Sequence, residues 1–493
     1  MVITFASGLE PKWFISIALA LICLSVSPLI REKEKFILYV SVLVLPISLD
    51  FFLIHFENLP YSLPISGLRF SAFDICFFFL LISWAVRLAS VRNIQIRLYP
   101  YVSIPFALLF IIFLLASLSS PIPSIIKLSY TWYFIKSWLI FIYIANNVQD
   151  RRTVFVIVSL FLISGVIQSF LAIAQYATGG TLGLDLFGES GKGYFAMKAG
   201  ADTVNRVAGT LGHPNTLGMF LGMWLPVNLA LIFAPISKRF KCMLIPSMVL
   251  ISIAHTLTFS RGAWLSLSIG GSITLYWCIL KRTKNKILSG FLTTTILIIF
   301  IASAVTLVEP VQQRLFKYDY GSASMRIPLA KLALNMIQHN PFIGVGPGSF
   351  HAVAHKYDTT REGISYSFQD PVHNTFLLIT AELGIPALGI TLIIIGYIFV
   401  NILRTANSRD DPVISYLGVG FFGAWLVWTI HQLVDYEYIF LFSSFWFNLA
   451  LILVITQFAT KKLPLKVKSI SKSQQNTVRK EITQYPPKSI SEY

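Results

Sequence analysis

Charge is scarce in this chain: Asp, Glu, Lys and Arg together make up 12% of its 493 residues, against 55% that are hydrophobic. A soluble domain carries about a quarter of its residues as charges, so an ordinary water-soluble globule is excluded. Cysteine is scarce too. Cys23, Cys76, Cys242 and Cys278 lie in or at the ends of apolar runs without ligand spacing, so neither a metal site nor a disulfide is expected from them. The first apolar run lacks a basic start and a small-residue cleavage site, so no cleaved signal peptide is expected. Heptads and solenoid repeats are missing, and so is a stretch polar enough to form a soluble catalytic domain.

What is present is apolar sequence of membrane length, repeated from end to end. The pattern predicts an all-α polytopic membrane protein, with spans near 13–30, 37–55, 72–88, 99–118, 128–146, 153–176, 207–235, 242–258, 262–280, 288–308, 373–402, 414–434 and 437–458. Twelve spans follow the basic stretch at 31–35, and the N-terminal run would make thirteen. The basic residues gather in alternate connections: "REKEK" (31–35), Arg87 with Arg92 and Arg97, "DRR" (150–152), "KRFK" (238–241), "KRTKNK" (281–286), and Arg404 with Arg409. A tail from Lys461 adds eight Lys/Arg against two Glu. By the positive-inside rule these loops and the tail are cytoplasmic. The net charge of +17 therefore points to anionic lipid headgroups rather than nucleic acid. Four parts follow: a transmembrane bundle to 308, a large outer loop over 309–372, further spans over 373–460, and a basic tail over 461–493.

The unusual chemistry falls on the outer connections. In 309–372, "SASMRIPLAKLALNMIQHNPF" spaces Leu329, Leu332, Leu334, Met336 and Ile337 as an amphipathic helix that lies on the membrane or caps the bundle, with Arg326 near its start. "GVGPGSF" (344–350) follows, and Gly344 and Gly346 read either as a tight turn or as an anion-holding nest. "NRVAGTLGHPNTLG" (205–218) brings Arg206, His213 and Asn215 to the start of a span, and "TFSRGAWLSL" (258–267) puts Arg261 between two apolar runs. An arginine there snorkels, pairs with a carboxylate or binds an anion. His373 and Asn374 open another span. Glu382 lies nine residues beyond His373, where it pairs with an arginine or faces a lumen. His431 and Asp435 form an i,i+4 pair that either orients an imidazole or clamps two helices. Two arginines facing one cavity suit a diphosphate, and a histidine beside them suits proton acceptance from a hydroxyl.

"HNTFLLITAELGIPALG" (373–389) resembles the signature of the O-antigen ligase and Wzy-type polymerase superfamily, a His-Asn pair followed by spaced small residues. Gly384 fits that pattern, and Ala387 stands where it usually has a second glycine, with Gly389 nearby. "SRGAWL", "RVAGTLGHPN" and "MRIPLAKLALNMIQHNPFIGVGPGSF" are similar to other family segments in the same order, so the likeness covers roughly 205–435. The resemblance implies a GT-C-like fold and a glycosyltransferase of the bacterial inner membrane, acting at its outer face. It implies an undecaprenyl-diphosphate-linked glycan donor and metal-independent inverting transfer, with no cofactor. Arg206 and Arg261 would hold the diphosphate, and His373 would activate or orient the acceptor hydroxyl. Asn374, Glu382, His213, Asn215, Arg326, Gly344 and Gly346 would line the substrates, with His431 and Asp435 in support. A ligase acting on lipid A-core is placed just ahead of an O-antigen or exopolysaccharide polymerase, for which a chain-length regulator is a possible partner. A transporter or flippase is the more distant reading, because inverted repeats and broken charged helices are not evident.

Overall fold

The apolar runs that dominate the sequence fold as helices wherever a polar or proline start signal precedes them. The computed structural model describes residues 2–5, 17–18, 21, 32–47, 49–57, 67–91, 94–189, 196–199, 202–307, 309–316, 325–360, 363–368, 370–438 and 443–460. Most of the first expected span and the whole basic tail over 461–493 lie outside the described residues. Among the described residues are α1 (Lys33–Val44), α2 (Ala72–Ser90), α3 (Pro100–Ser119), α4 (Ser124–Asn147), α5 (Arg151–Thr178), α6 (Pro214–Phe233), α7 (Lys238–Leu257), α8 (Arg261–Thr283) and α9 (Lys286–Leu307). The short α10 (Glu309–Phe316), α11 (Arg326–His339), α12 (Phe350–Tyr357), α13 (Ile364–Ser367) and α14 (Thr375–Leu383) follow, then α15 (Ile385–Ala406), α16 (Pro412–His431) and α17 (Ser443–Ala459).

Eight of these, α2, α3, α5, α6, α7, α8, α15 and α16, are long and apolar enough to cross a membrane, so the protein is a multi-pass helical membrane protein. Their starts are chemically marked. Ser71 and Asp74 form a capping box on α2, Asp150 caps α5, Ser237 caps α7, and Asp411 followed by Pro412 starts α16. The most enclosed of these eight helices, α6 and α16, cross closely: a Cβ on Gly420 would lie 2.8 Å from the Val227 Cα, and one on Gly270 of α8 would lie 2.6 Å from the Gly423 carbonyl. Small residues at these crossings let backbones approach where no hydrophobic force drives helices together in lipid.

Two expected spans take another form. The run 37–55 is helical only to Val44, passes Pro46, and continues as strand β2 (Asp50–Glu57), paired antiparallel with β1 (Val2–Phe5) and β3 (Gly67–Ser71). Its Phe- and Ile-rich segment "DFFLIHFE" suits a pleated surface as well as a helix, and pairing decides. The run 373–402 is broken at Gly384, whose φ of +86° only glycine adopts easily and where an added Cβ would lie 2.3 Å from the Phe342 carbonyl oxygen. A second hairpin, β4 (Ala196–Ala199) with β5 (Asp202–Asn205), precedes α6, which begins at Pro214 rather than near 207.

The expected amphipathic helix is α11, with a shifted face. Leu329, Leu332, Ala333 and Met336 are buried against Phe350, Val353, Ile364 and Leu378 of α12, α13 and α14, whereas Leu334 is exposed. The helix therefore caps the bundle, packing on its neighbours through an i, i+3, i+4, i+7 stripe.

Candidate functional site

Three helix starts carry the candidate side chains. His213 is the N-cap of α6, its Nδ1 accepting the Asn215 N–H at 3.1 Å, and Pro214 occupies the first helical position. Because that nitrogen accepts, the proton of the neutral ring sits on Nε2. Arg261 is the first residue of α8, whose cap is Ser260. His373 immediately precedes Asn374, which caps α14 by accepting the Leu377 N–H and donates to the Leu433 carbonyl at 3.1 Å. Each start brings the positive end of a helix dipole to the site.

Packing brings the three together. An added Cβ on Gly218 of α6 would lie 2.8 Å from the Ala263 Cβ, and one on Gly262 would lie 2.8 Å from Val434 and 3.8 Å from the His431 ring. The Thr375 N–H donates to the Gln432 carbonyl at 2.9 Å. The starts of α6, α8 and α14 thus meet the end of α16 at one end of the bundle, here called the arginine end.

Arg206 reaches that end from the loop before α6. Its Nε donates to the Thr258 carbonyl and its Nη2 to Asn215 Oδ1, both at 2.8 Å. Burial, then the charges of Arg314 and Arg261, push its pKa down to about 9, with Asp435 pulling the other way. It remains a cation at neutral pH. Arg314, on α10, is buried and donates to the Phe259 carbonyl. Asp435 stands 4.0 Å from His431 Nε2. Among the described residues, Arg206, Arg261 and Arg314 therefore share one neighbourhood with Asp435, a gathering of guanidinium groups of the kind that holds anions.

The His373 ring lies edge-on to Tyr436, with centroids 5.4 Å apart, and 6.0 Å from Phe368. Its Nδ1 is buried without a hydrogen-bond partner among the described residues. Tyr436 also donates to Asp370 at 3.5 Å. His213 senses the charges of Asp435, Arg206, Asp370 and His373, which joins the histidines to the arginine group. Arg314, Asp370 and Tyr436 escaped sequence reasoning: Arg314 lies in no recognisable motif, and Asp370 and Tyr436, at the edges of expected spans, gain their meaning only from the contact with His373 that folding brings.

Burial lowers His213 to about 4 from its ordinary 6.5. The unfolded chain then takes up a proton as pH falls through 6.5 while the folded chain resists, so stability is lost between about pH 6.5 and 4. His213→Asn keeps an N-cap acceptor and removes the titration. Its unfolding temperature should fall less than that of the wild type between about pH 7.5 and pH 5, read by a thermal melt in detergent. Parallel curves would remove this role for the ring.

Glu382, Gly344 and Gly346 form a separate locus. The Glu382 carboxylate accepts from the Gly348 N–H at 2.8 Å, the Phe350 N–H at 3.1 Å and the Tyr438 hydroxyl at 3.2 Å. The Val345 and Gly346 N–H groups donate to the Ala381 and Glu382 carbonyls. The glycine loop is thus a tight turn whose amides hold the protein's own carboxylate. Gly344, at φ +70°, lies so close that a Cβ would sit 2.3 Å from the Glu382 carbonyl carbon. Among the described residues Glu382 forms no ion pair with an arginine. Arg326, at the start of α11, acts electrostatically on His431 and so borders the arginine end.

No curated protein matches the chain. Residues 246–392, which contain Arg261, Arg326, His373 and Glu382 and leave Arg206, His213 and Asp435 outside, match the family model described as O-antigen ligase. Over that stretch this multi-pass membrane protein is similar to a glycosyltransferase-like enzyme family, in keeping with the O-antigen ligase and polymerase superfamily.

Proposed function

We propose that the protein is a ligase-type membrane glycosyltransferase that moves a glycan from an undecaprenyl-diphosphate donor to an acceptor hydroxyl, at the outer face of a bacterial inner membrane. The observation that carries this reading is the meeting of Arg206, Arg261 and Arg314 with His373 where three helix starts converge. Guanidinium groups gathered in this way suit a diphosphate, and the α6 and α8 starts add the positive ends of their dipoles. The acceptor oxygen attacks the anomeric carbon, and its proton passes to the His373 imidazole. The bond from that carbon to the phosphate oxygen breaks with its electron pair on the diphosphate. Fixed guanidinium groups stabilise the charge that develops there. The lipid tail remains in the bilayer and enters between helices.

Arg206→Ala and Arg261→Ala should each weaken binding of the lipid-linked donor about 10- to 100-fold, the loss of one or two charge-assisted hydrogen bonds. Binding to protein in lipid nanodiscs checks this, and unchanged donor affinity in both variants would overturn the diphosphate site. The product decides the finer class. One glycan block on a non-carrier acceptor supports the ligase reading, whereas a ladder still attached to carrier lipid replaces it with a polymerase on the same site.

A further inference from the structure

Beneath the arginine end the bundle holds a cavity of about 300 Å³, bounded by α5, α6, α16, α17 and the β2–β3 hairpin. Its polar lining is unusual for the interior of a membrane bundle. Asp50 and Arg69 contribute an ion pair at 3.3 Å, neither group fully buried, and Glu437 contributes a carboxyl. Glu437 Oε2 accepts from Trp428 Nε1 at 3.3 Å and from Gln432 Nε2 at 3.1 Å. Asn448 adds an amide, whose Nδ2 also donates to the Ser444 carbonyl at 2.9 Å. Apolar and aromatic residues, among them Phe161, Phe220, Phe445 and three tryptophans, complete the lining.

We infer that this cavity holds one uncharged pyranose ring of a glycan substrate. Hydroxyl groups distributed around such a ring match carboxyl, guanidinium and amide partners in several directions, while its C–H faces pack on tryptophan. The volume is at the lower end for ligand pockets, enough for a single ring and too small for a whole glycan block. An isoprenoid tail fits less well. It would lay hydrocarbon against an ion pair and a carboxyl. The cavity is also wired to the proposed reaction centre. The Glu437 N–H donates to Thr375 Oγ1 at 2.9 Å, two residues from His373, and Thr216 of the lining lies one turn into the helix that His213 caps.

The inference rests on the reading that donor and acceptor are glycans. Three of the lining residues are tryptophans, Trp224, Trp425 and Trp428, so intrinsic fluorescence reports occupancy. Full-length protein in phospholipid nanodiscs is titrated with methyl glycosides of glucose, galactose, mannose, rhamnose and N-acetylglucosamine, up to about 100 mM. At least one should give a saturable change. Glu437→Gln and Asn448→Ala should each weaken it about fivefold or more, while Arg261→Ala should leave it within about twofold. Competition by that glycoside against acceptor, or against lipid-linked donor, identifies which substrate supplies the ring. No saturable response to any glycoside overturns the inference, as does a response unchanged in both cavity variants. Saturation by farnesol in place of every glycoside also overturns it, in favour of a lipid-tail site. Transfer that needs Arg261 without glycoside binding sinks this inference alone. Glycoside binding without transfer to any acceptor leaves it standing and sinks the proposed reaction.

Discussion

His373→Ala is expected to lower glycan transfer by about 10²- to 10⁴-fold, the contribution of a positioned general base, while donor affinity stays within about twofold. The separation follows from the local structure. The helix cap belongs to Asn374, whose side chain accepts the Leu377 N–H and donates to Leu433, so deleting the neighbouring imidazole leaves α14 anchored. In the proposed function, diphosphate binding belongs to Arg206 and Arg261, which approach from the loop before α6 and from α8 rather than from α14. The ring is instead held by its faces and edges, against Tyr436 and Phe368. Such contacts fix orientation without fixing a charge, as a group that must gain and lose a proton requires. The measurement is kcat with a lipid-linked donor alongside donor Kd. Transfer near the wild-type rate sinks the base assignment. Equal loss of donor affinity and rate would move His373 into the diphosphate site.

The sequence carried the membrane architecture well because two strong physical signals coincide in it. Apolar runs of span length are interrupted by basic clusters in alternate connections, and caps such as Ser71, His213 and Asp411 stand where the helices begin. His213, Arg261 and His373 stand out in the sequence because each is a polar residue at or beside a helix start, whereas Arg206 lies in the loop before α6. Charge alternation is what groups the four on one expected side. What it hid depends on tertiary contact. "DFFLIHFE" is as apolar as a helix, and only its partners in β1 and β3 make it a strand. The break at Gly384 comes from the Phe342 backbone, 42 residues earlier in the chain. Glu382 reads as an isolated acid in an apolar helix, whereas its donors are backbone N–H groups of a glycine loop more than 30 residues away. Arg314 joins the arginine group from α10, which no motif marks.

Lys136→Met should destabilise the protein by about 3–5 kcal/mol, because it leaves a buried carboxylate without its counter-charge. Lys136 of α4 and Asp74 of α2 form an ion pair at 2.9 Å, with side chains only 5% and 2% exposed. The pair sits within a larger network. Asp74 Oδ2 accepts the Ser71 N–H at 2.9 Å, completing the α2 cap, and the ammonium lies 4.5 Å from the centre of the Tyr133 ring. Tyr133 donates to the Arg69 carbonyl at 2.6 Å, so the pair also holds β3, and with it one wall of the cavity. Removing the cation forces either an uncompensated charge or a protonated acid, and neutralising a carboxylate at pH 7 costs about 4 kcal/mol. Adding Asp74→Asn should recover most of the loss, since a neutral amide needs no counter-charge and its oxygen still accepts the Ser71 N–H. Thermal and denaturant unfolding in nanodiscs measures both variants against the wild type. A single variant as stable as wild type, or a double variant no better than the single one, would show that the two charges contribute little beyond packing.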